Sequence, residues 1–342
     1  MGLIRAWGEG RESDEGRGGD NDVAALKRSA GHAAIIGQVG TAPKILPAEA
    51  ENKPTAWLPY IPRMTAPPPH IFSVDVEEYF QVLAFERAVP RSEWDRMPSR
   101  VEASVDQLLE LLARHDATGT FFTVGWLADR KPALIRRIAD QGHEIASHSW
   151  WHRRVTSLQP EELREDVRRC RTTLEQIIGR PVVGFRAPSF SIVPGAEWAF
   201  DVLIEEGYRY DSSIFPIRRP DYGYPGAPAG AYEVHRPAGT LLELPLATTT
   251  IGGARIPAAG GGYLRQLPYG LTQRAFDEHT ARGESAMFYI HPWEIDEQQP
   301  RLPVSLLTRL RHYNGLGRTM ERLERLLTRF RFASVERRYF SQ

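Results

Sequence analysis

The sequence predicts an α/β fold, a deformed (β/α) barrel of parallel strands with a helical, loop-rich C-terminal extension. From residue 71 onward, short apolar runs of strand length alternate with helical patterns. Such alternation favours a parallel sheet with helical crossovers, either an open sheet or a barrel. Reactive side chains directly follow several of the apolar runs, as they do at the carboxyl ends of barrel strands. This layout favours the barrel.

The strands are predicted from their length and from their β-branched or aromatic content. The six apolar runs cover residues 71–76, 120–124, 144–147, 182–185, 241–246 and 286–290.

Helical patterns occupy the segments between these runs. Apolar residues recur at helical spacing in 105–114, and Pro132 stands where a first helical turn tolerates proline. Residues 160–178 and 196–206 repeat the pattern, and each is followed by a glycine that can end a helix.

Composition is that of an ordinary globular protein. The 342 residues are 42% hydrophobic and 25% charged, and Lys+Arg and Asp+Glu both count 43. The formal charge of zero creates no global field for nucleic acid or an anionic membrane. The single cysteine, Cys170, excludes an internal disulfide and is predicted to be a buried, inert thiol.

Domain organisation and location follow from the apolar content. Residues 1–69 combine a Gly/Arg/Glu/Asp-rich stretch with a proline-rich one, so we predict a disordered or loosely packed segment. Residues 70–335 are predicted to form one domain that includes the C-terminal extension. No stretch is apolar enough for a membrane span, and no secretory signal is visible. The expected location is cytoplasmic or peripheral to the inner membrane.

Two histidines in residues 143–152 suggest a metal site. His148 and His152 lie four apart, and a helical turn would place their Cβ atoms about 5–6 Å apart on one face. Neutral imidazoles so placed can chelate a divalent cation, usually zinc. An isolated pair of this spacing is more often accidental than functional. Other reactive residues that end predicted strands strengthen the metal-site interpretation: Asp75, Glu77, Arg186 and His291.

The C-terminal third is less regular. Residues 216–239 and 252–263 are rich in proline or glycine and predict long loops, which are often functional. Tyrosines in this region could line a sugar-binding groove or could simply cover the core. They are Tyr222, Tyr224, Tyr232, Tyr263 and Tyr269. Residues 303–330 predict a basic, leucine-patterned helix pair with a solvated face over a packed stripe.

Six motifs in order resemble the polysaccharide deacetylase superfamily, the nodulation-protein-B-like or carbohydrate esterase family 4 group. The resemblance covers roughly residues 70–335, and its narrower features are similar to deacetylases that accompany exopolysaccharide and exosortase gene systems. The motifs lie at residues 73–77, 120–124, 147–152, 185–188, 211–213 and 289–291.

The resemblance implies a hydrolase that cleaves the N-acetyl amide of a hexosamine with a water activated by a divalent metal. His148 and His152 would be two metal ligands, and an acidic residue of the first motif would be the third. Zn²⁺ is the expected metal, with Co²⁺ or Ni²⁺ as alternatives. Three protein ligands leave positions open for water and substrate.

The resemblance also implies catalytic roles. Asp75 matches the general base, Arg186 the arginine that orients it, and His291 the acid that protonates the leaving amine. Asp211 is a further candidate that would pair with a catalytic histidine or with Arg186, or would only cap a turn.

Two departures from the family pattern bear on the site. The common motif has adjacent aspartates, whereas this chain has Asp75, Glu77 and Glu78. Strand alternation sends Asp75 and Glu77 to one side, so Glu77 is the predicted third ligand and Glu78 the alternative. Ser189 stands where many relatives have an aromatic residue, although its backbone N–H could still join an oxyanion hole.

The predicted function is metal-dependent N-deacetylation of N-acetylhexosamine units in a polysaccharide, with an exopolysaccharide favoured. Ser189, Trp151 and Tyr263 are the predicted substrate contacts. The alternatives are hydrolysis of a small non-sugar amide and a catalytically silent carbohydrate-binding protein. The expected partner is a polysaccharide or oligosaccharide and not nucleic acid, and the sequence leaves the oligomeric state open.

Overall fold

The computed structural model describes residues 57–59, 67–219 and 222–341. The prediction of disorder or loose packing for residues 1–69 falls mostly outside these residues. Within the described part, twelve strands form, and in chain order they are β1 (Trp57–Pro59), β2 (His70–Val76), β3 (Thr120–Thr123), β4 (Glu144–Ser147), β5 (Gly184–Phe185), β6 (Tyr210–Asp211), β7 (Tyr232–Arg236), β8 (Gly239–Glu243), β9 (Thr248–Ile251), β10 (Ala254–Pro257), β11 (Met287–Ile290) and β12 (Phe332–Ala333).

Nine α-helices connect or follow these strands in the described ranges. They are α1 (Val101–Arg114), α2 (Gly125–Arg130), α3 (Pro132–Asp140), α4 (Pro160–Ile178), α5 (Trp198–Glu205), α6 (Gly261–Gln266), α7 (Tyr269–Ala281), α8 (Leu306–Tyr313) and α9 (Thr319–Arg329).

The predicted barrel is confirmed. Seven strands run parallel in the order β8-β6-β5-β4-β3-β2-β11, while β7 and β1 continue the sheet antiparallel beyond β8. Leu246, which follows β8, forms a parallel bridge with Met287 of β11. This bridge joins the two ends of the parallel sheet, so the strands close into a deformed barrel.

Local sequence explains the outer helices. In α4, Pro160 occupies the first turn, Gln159 and Glu162 form a capping box, and Gly179 ends the helix with φ 69°. The apolar face of α4 is buried, including Cys170 as predicted. Burial raises the pKa of the Cys170 thiol to about 12, which keeps it protonated and unreactive.

Some C-terminal predictions require correction. The segments predicted as loops contain β7 and β10. The leucine stripe of α9 is packed, with Leu323 and Leu326 buried. The prediction of a packed stripe is wrong for α8, since Leu306, Leu307 and Leu310 are 71%, 57% and 56% exposed. No helix in the described ranges has both the length and the apolar character needed to span a membrane.

Candidate active site

The reactive residues converge because the carboxyl ends of the parallel strands meet at one end of the barrel. A cavity of about 530 Å³ opens there. Its lining includes Asp75, Glu77, His148, His152, Ser189 and His291, which are contributed by β2 and by the segments that follow β2, β4, β5 and β11.

Glu77, His148 and His152 form a cluster that could hold a metal ion. One ligand atom from each residue lies within 4.8 Å of the others. The rings of His148 and His152 have centroids 5.0 Å apart, and Nε2 of His152 lies 2.7 Å from Oε2 of Glu77. One carboxylate oxygen and two imidazole nitrogens are a donor set that suits a borderline divalent cation.

The hydrogen bond of His148 defines which of its nitrogens is available. Nδ1 lies 2.8 Å from the backbone oxygen of Arg186, and a carbonyl oxygen can only accept, so Nδ1 carries the proton. Burial holds the pKa of His148 well below its usual value, which keeps the ring neutral. The lone pair is therefore on Nε2, as a metal ligand requires.

Glu77 has one satisfied and one unsatisfied oxygen. Oε1 accepts a hydrogen bond of 3.0 Å from Nε1 of Trp293. Oε2 has no hydrogen-bond partner among the described residues, and Nε2 of His152 lies 2.7 Å from it. Burial opposes ionisation of Glu77, but the charges of His152 and His291 lower its pKa to about 2. A buried, ionised and partly unsatisfied carboxylate beside two imidazoles fits a cation ligand.

The loop between the histidines is not helical, so the reason given above for their proximity is wrong. Ser149 and His152 adopt positive φ values of 61° and 51°, which turn the chain back on itself. Asp166 of α4 anchors the loop by accepting hydrogen bonds from the backbone N–H groups of Trp150 (2.6 Å) and Trp151 (3.1 Å). Sequence reasoning missed Asp166. Its signal is an aspartate on the apolar face of an amphipathic helix.

Glu78, the alternative ligand, faces away from the cluster. Its Oε2 accepts a hydrogen bond of 3.0 Å from the backbone N–H of Arg100, directly before α1. The side chain therefore satisfies a donor at the start of that helix. Of the two glutamates, Glu77 is the one that reaches His148 and His152.

Asp75 and Arg186 form a buried ion pair beside the cluster. Nη1 of Arg186 donates to Oδ1 of Asp75 at 2.6 Å and also to Oγ of Ser73 at 2.9 Å. Nε and Nη2 donate to the backbone oxygen and the hydroxyl of Ser212. The guanidinium also lies 4.0 Å from the ring centre of Phe122. These contacts fix the Asp75 carboxylate and leave Oδ2 on the cavity side, 3.8 Å from Nε2 of His291.

His291 is held by a buried carboxylate that sequence reasoning missed. Nδ1 of His291 lies 2.7 Å from Oε1 of Glu294, whose Oε2 accepts from Nε of Arg265 at 2.6 Å. Burial disfavours the charged imidazole, but Glu77, Glu294 and Asp75 outweigh it and raise the pKa of His291 to about 9. Nε2, the other ring nitrogen, lies 3.7 Å from Oε1 of Glu77.

Asp211 is the last residue of β6 and bonds to the segment that directly follows this strand. Its carboxylate accepts from the backbone N–H and the hydroxyl of Ser213, at 3.0 and 2.6 Å. Ser213 in turn accepts from the backbone N–H of Ala187. In the described part of the chain, no hydrogen bond or ion pair joins Asp211 to Arg186 or to a histidine. Asp211 shapes the segment that contacts Arg186, which matches the turn-capping alternative.

The predicted substrate contacts lie at different depths. Ser189 lines the cavity in a left-handed conformation with φ 56°. Trp151 lines a smaller adjoining pocket together with His152 and Ser189. Tyr263 reaches the cavity only indirectly, because its hydroxyl contacts that of Tyr222, which is a lining residue.

The other tyrosines of the predicted groove have different environments. Tyr232 is fully buried, Tyr224 donates to Glu197, and Tyr269 packs beneath Arg325. Tyr289 of β11, which was not among the candidates, lines the cavity instead.

Comparison with known sequences divides the chain into two matched regions. The family model described as "Polysaccharide deacetylase" matches residues 92–197, which contain His148, His152 and Arg186. The model described as "Domain of unknown function (DUF3473)" matches residues 212–339, which contain His291 and Glu294.

Among curated proteins, a peptidoglycan-N-acetylglucosamine deacetylase of Bacillus cereus is 30% identical over 103 residues, 30% of this chain and 46% of that protein. A chitooligosaccharide deacetylase of Bradyrhizobium is 33% identical over 100 residues, 28% of this chain and 42% of that protein. The chain thus spans less than half the length of these relatives.

Among solved structures, that of a candidate polysaccharide deacetylase from Mycobacterium smegmatis aligns with a TM-score of 0.55 and 21% identity. The alignment covers 82% of this chain and 93% of that one, and at this identity it supports the fold alone. Residues 92–197, which contain His148, His152 and Arg186, therefore belong to the polysaccharide deacetylase family, whose model they match.

Proposed function

We propose that this protein is a metal-dependent hydrolase that removes N-acetyl groups from N-acetylhexosamine units of a polysaccharide, with an exopolysaccharide as the favoured substrate. The observation that carries the proposal is the Glu77–His148–His152 cluster with Asp75 and His291 beside it, their Oδ2 and Nε2 atoms 3.8 Å apart. The names of the curated relatives, deacetylases of peptidoglycan and chitooligosaccharide, support the substrate class.

Glu77, His148 and His152 would hold the metal, with Zn²⁺ expected and Co²⁺ or Ni²⁺ as alternatives. When bound, such an ion lowers the pKa of water towards neutrality and polarises the amide carbonyl. The protein contributes a neutral His148 with its lone pair on Nε2 and a Glu77 carboxylate with an unsatisfied oxygen.

Asp75 would be the general base. Arg186 engages Oδ1, and Oδ2 remains on the side of the cavity where it can accept a proton from the attacking water. The fixed guanidinium stabilises the carboxylate and prevents it from rotating away from the substrate.

His291 would be the general acid. Its Nε2 faces the cavity while Glu294 holds Nδ1, so the proton on Nε2 can pass to the departing amine. Glu77 is the largest of the charges that raise the pKa of His291. A cation on Glu77 would offset part of that charge and bring the His291 pKa closer to neutrality, where an acid transfers its proton readily.

The substrate would occupy the open cavity. Ser189 lines the cavity in a left-handed backbone conformation, and its backbone N–H is the candidate oxyanion donor. Trp151, Tyr222 and Tyr263 would offer aromatic surface to sugar rings on either side. The match of residues 212–339 to the second family model fits the exosortase-associated subgroup and thereby an exopolysaccharide substrate.

The decisive experiment measures acetate release from N-acetylglucosamine oligomers by protein stripped of metal and then supplied with zinc or cobalt. Wild type is compared with His148→Ala and with His115→Ala, a control histidine that pairs with Glu324 away from the cavity. We expect metal-dependent release by wild type and the control, and none by His148→Ala.

Other results would favour the alternatives. Tight zinc binding that is lost in His148→Ala, without acetate from any oligomer, would indicate a different amide substrate. Absence of both zinc binding and hydrolysis would favour a carbohydrate-binding protein.

A further inference from the structure

An apolar surface on α8 lies beside the cavity and is not used by the proposed chemistry. Four large hydrophobic side chains of the described residues are exposed, and three of them are Leu306, Leu307 and Leu310 on this two-turn helix. We call these three residues the leucine face. Three exposed leucines on one short helix mark an interaction surface more strongly than scattered single residues do.

The helix has three distinct sides. At about 100° per residue, the leucine face spans an arc of about 100°, with Arg309 and Arg311 flanking it on either side. The opposite side carries Thr308 and His312, which line the cavity. A surface that covers the leucine face is therefore separated from the cavity lining by about one helix diameter, roughly 10 Å.

The charged side chains of the segment that carries the leucine face are all positive. Residues 301–318 contain four arginines and neither aspartate nor glutamate, although the whole chain is neutral. The four are exposed, and none of them makes an ion pair with a carboxylate in the described part of the chain; they are Arg301, Arg309, Arg311 and Arg318. Other exposed arginines do form ion pairs, such as Arg114 with Glu324 and Arg168 with Glu206. Unpaired cations around an apolar strip suit a partner with negative charge and an apolar interior.

We propose that α8 docks the protein onto an anionic lipid bilayer, with the leucine face in the interfacial region and the flanking arginines on the phosphate headgroups. Interfacial helices combine this apolar face with basic flanks, and each basic residue adds attraction to anionic lipid. A second copy of the chain fits less well, because a two-fold contact would bring the arginines of both copies together. Three leucines are also too small an area for a stable protein interface.

Docking would hold the cavity within about one helix diameter, roughly 10 Å, of the bilayer surface, because α8 contributes to both. This consequence rests on the proposed function. The enzyme would then act on glycan chains held close to a membrane in preference to free oligomers.

The test is sedimentation of the full-length protein with vesicles of phosphatidylcholine alone or mixed with phosphatidylglycerol. Variants are the triple Leu306→Ser, Leu307→Ser, Leu310→Ser and the pair Arg301→Ser, Arg309→Ser. The matched control is Ile251→Ser, an exposed apolar residue on β9 (42% exposed). We expect binding to the anionic vesicles, about tenfold or more weaker in the triple variant and weaker with added salt, and unchanged in the control.

Several outcomes would overturn the proposal. One is that wild type does not sediment with anionic vesicles. Another is that the triple variant binds these vesicles as tightly as wild type does. The third is that light scattering shows a wild-type dimer that the triple variant no longer forms. Acetate release from soluble oligomers is measured in parallel with the same variants. Vesicle binding without any hydrolysis would leave docking intact and count against the proposed function alone, so the two failures are distinguishable.

Discussion

The indole Nε1 of Trp293 donates a hydrogen bond of 3.0 Å to Oε1 of Glu77. The indole is itself held between two imidazoles, with ring centroids 5.0 Å from His291 and 4.1 Å from His312 at interplanar angles of 22° and 16°. Trp293 therefore has little freedom, and it directs Oε2 of Glu77 towards His152. The Glu77 side chain needs such support because it has one more rotatable bond to restrain than an aspartate would have.

We expect Trp293→Phe to weaken zinc binding by about 10–100-fold, the usual cost of removing a partner that orients a metal ligand. The measurement is competition with a chromophoric chelator. Trp94→Phe is the control, because Trp94 is also buried but its Nε1 has no hydrogen-bond partner among the described residues. Equal losses in the two variants would mean that packing, and not the hydrogen bond, is what matters.

The two neighbouring glutamates should respond differently to amide substitution. Glu77→Gln removes a charged ligand and should abolish zinc binding at micromolar metal. Glu78→Gln should leave zinc affinity unchanged, since Glu78 bonds the backbone before α1. Isothermal titration of both variants checks this. Loss of affinity in Glu78→Gln with retention in Glu77→Gln would reverse the assignment.

His291→Asn should separate binding from catalysis. We expect zinc affinity to be kept, because His291 lies outside the Glu77–His148–His152 cluster, while kcat falls by about 10²–10⁴-fold through loss of the acid. Zinc titration and steady-state acetate release are measured on the same preparation. An unchanged kcat would exclude His291 as the proton donor.

Asp166→Asn should loosen the loop that carries His152. Asp166 accepts hydrogen bonds from two backbone N–H groups, and in the variant one of these donors would face the amide NH₂ of asparagine. Because that buried N–H would lose its acceptor, we expect the free energy of unfolding to fall by about 1–3 kcal/mol. Zinc affinity should fall as well. Asp106→Asn, which breaks a surface pair with Arg137, should cost no more than about 1 kcal/mol and leave zinc affinity intact. Chemical denaturation of the metal-free proteins gives the comparison.

Glu144 begins β4, at the end of the barrel opposite the cavity, and its titration should make the stability of the protein depend on pH. It is buried against Tyr210, Thr120 and the backbone of Glu336, and burial raises its pKa to about 7 from 4.5. Between these values the folded protein binds more protons than the unfolded chain. Stability is therefore lost as pH rises from about 4.5 to about 7, by an amount on the order of 3 kcal/mol.

Glu144→Gln removes this titration while retaining a hydrogen-bonding side chain. The variant should gain stability relative to wild type between pH 5 and pH 8, as measured by urea denaturation at each pH. Other titrating groups contribute equally to the stability of both proteins, so their contributions cancel in the difference between variant and wild type. A stability difference that stays constant across this range would contradict the shifted pKa.

Short-range patterns were sufficient for the main features of the fold and the candidate site. Alternation along β2 placed Asp75 and Glu77 on one side and Glu78 on the other, because successive strand residues face opposite ways. The positions of the strand ends indicated which reactive residues would meet at one end of a barrel. Both inferences depend only on neighbours in sequence.

The tertiary structure decided what touches these residues. Trp293 and Glu77 are 216 positions apart in the chain, and Asp166 reaches the histidine loop from a helix, so no local pattern could pair them. Asp211 likewise pairs with the strand that leads to Arg186 only because β5 and β6 are neighbours. The leucine pattern of α8 is compatible with burial or exposure, and only the packing of the whole domain determined that this face is left uncovered. Periodicity specifies which side chains share a face, whereas closure of the barrel specifies what that face meets.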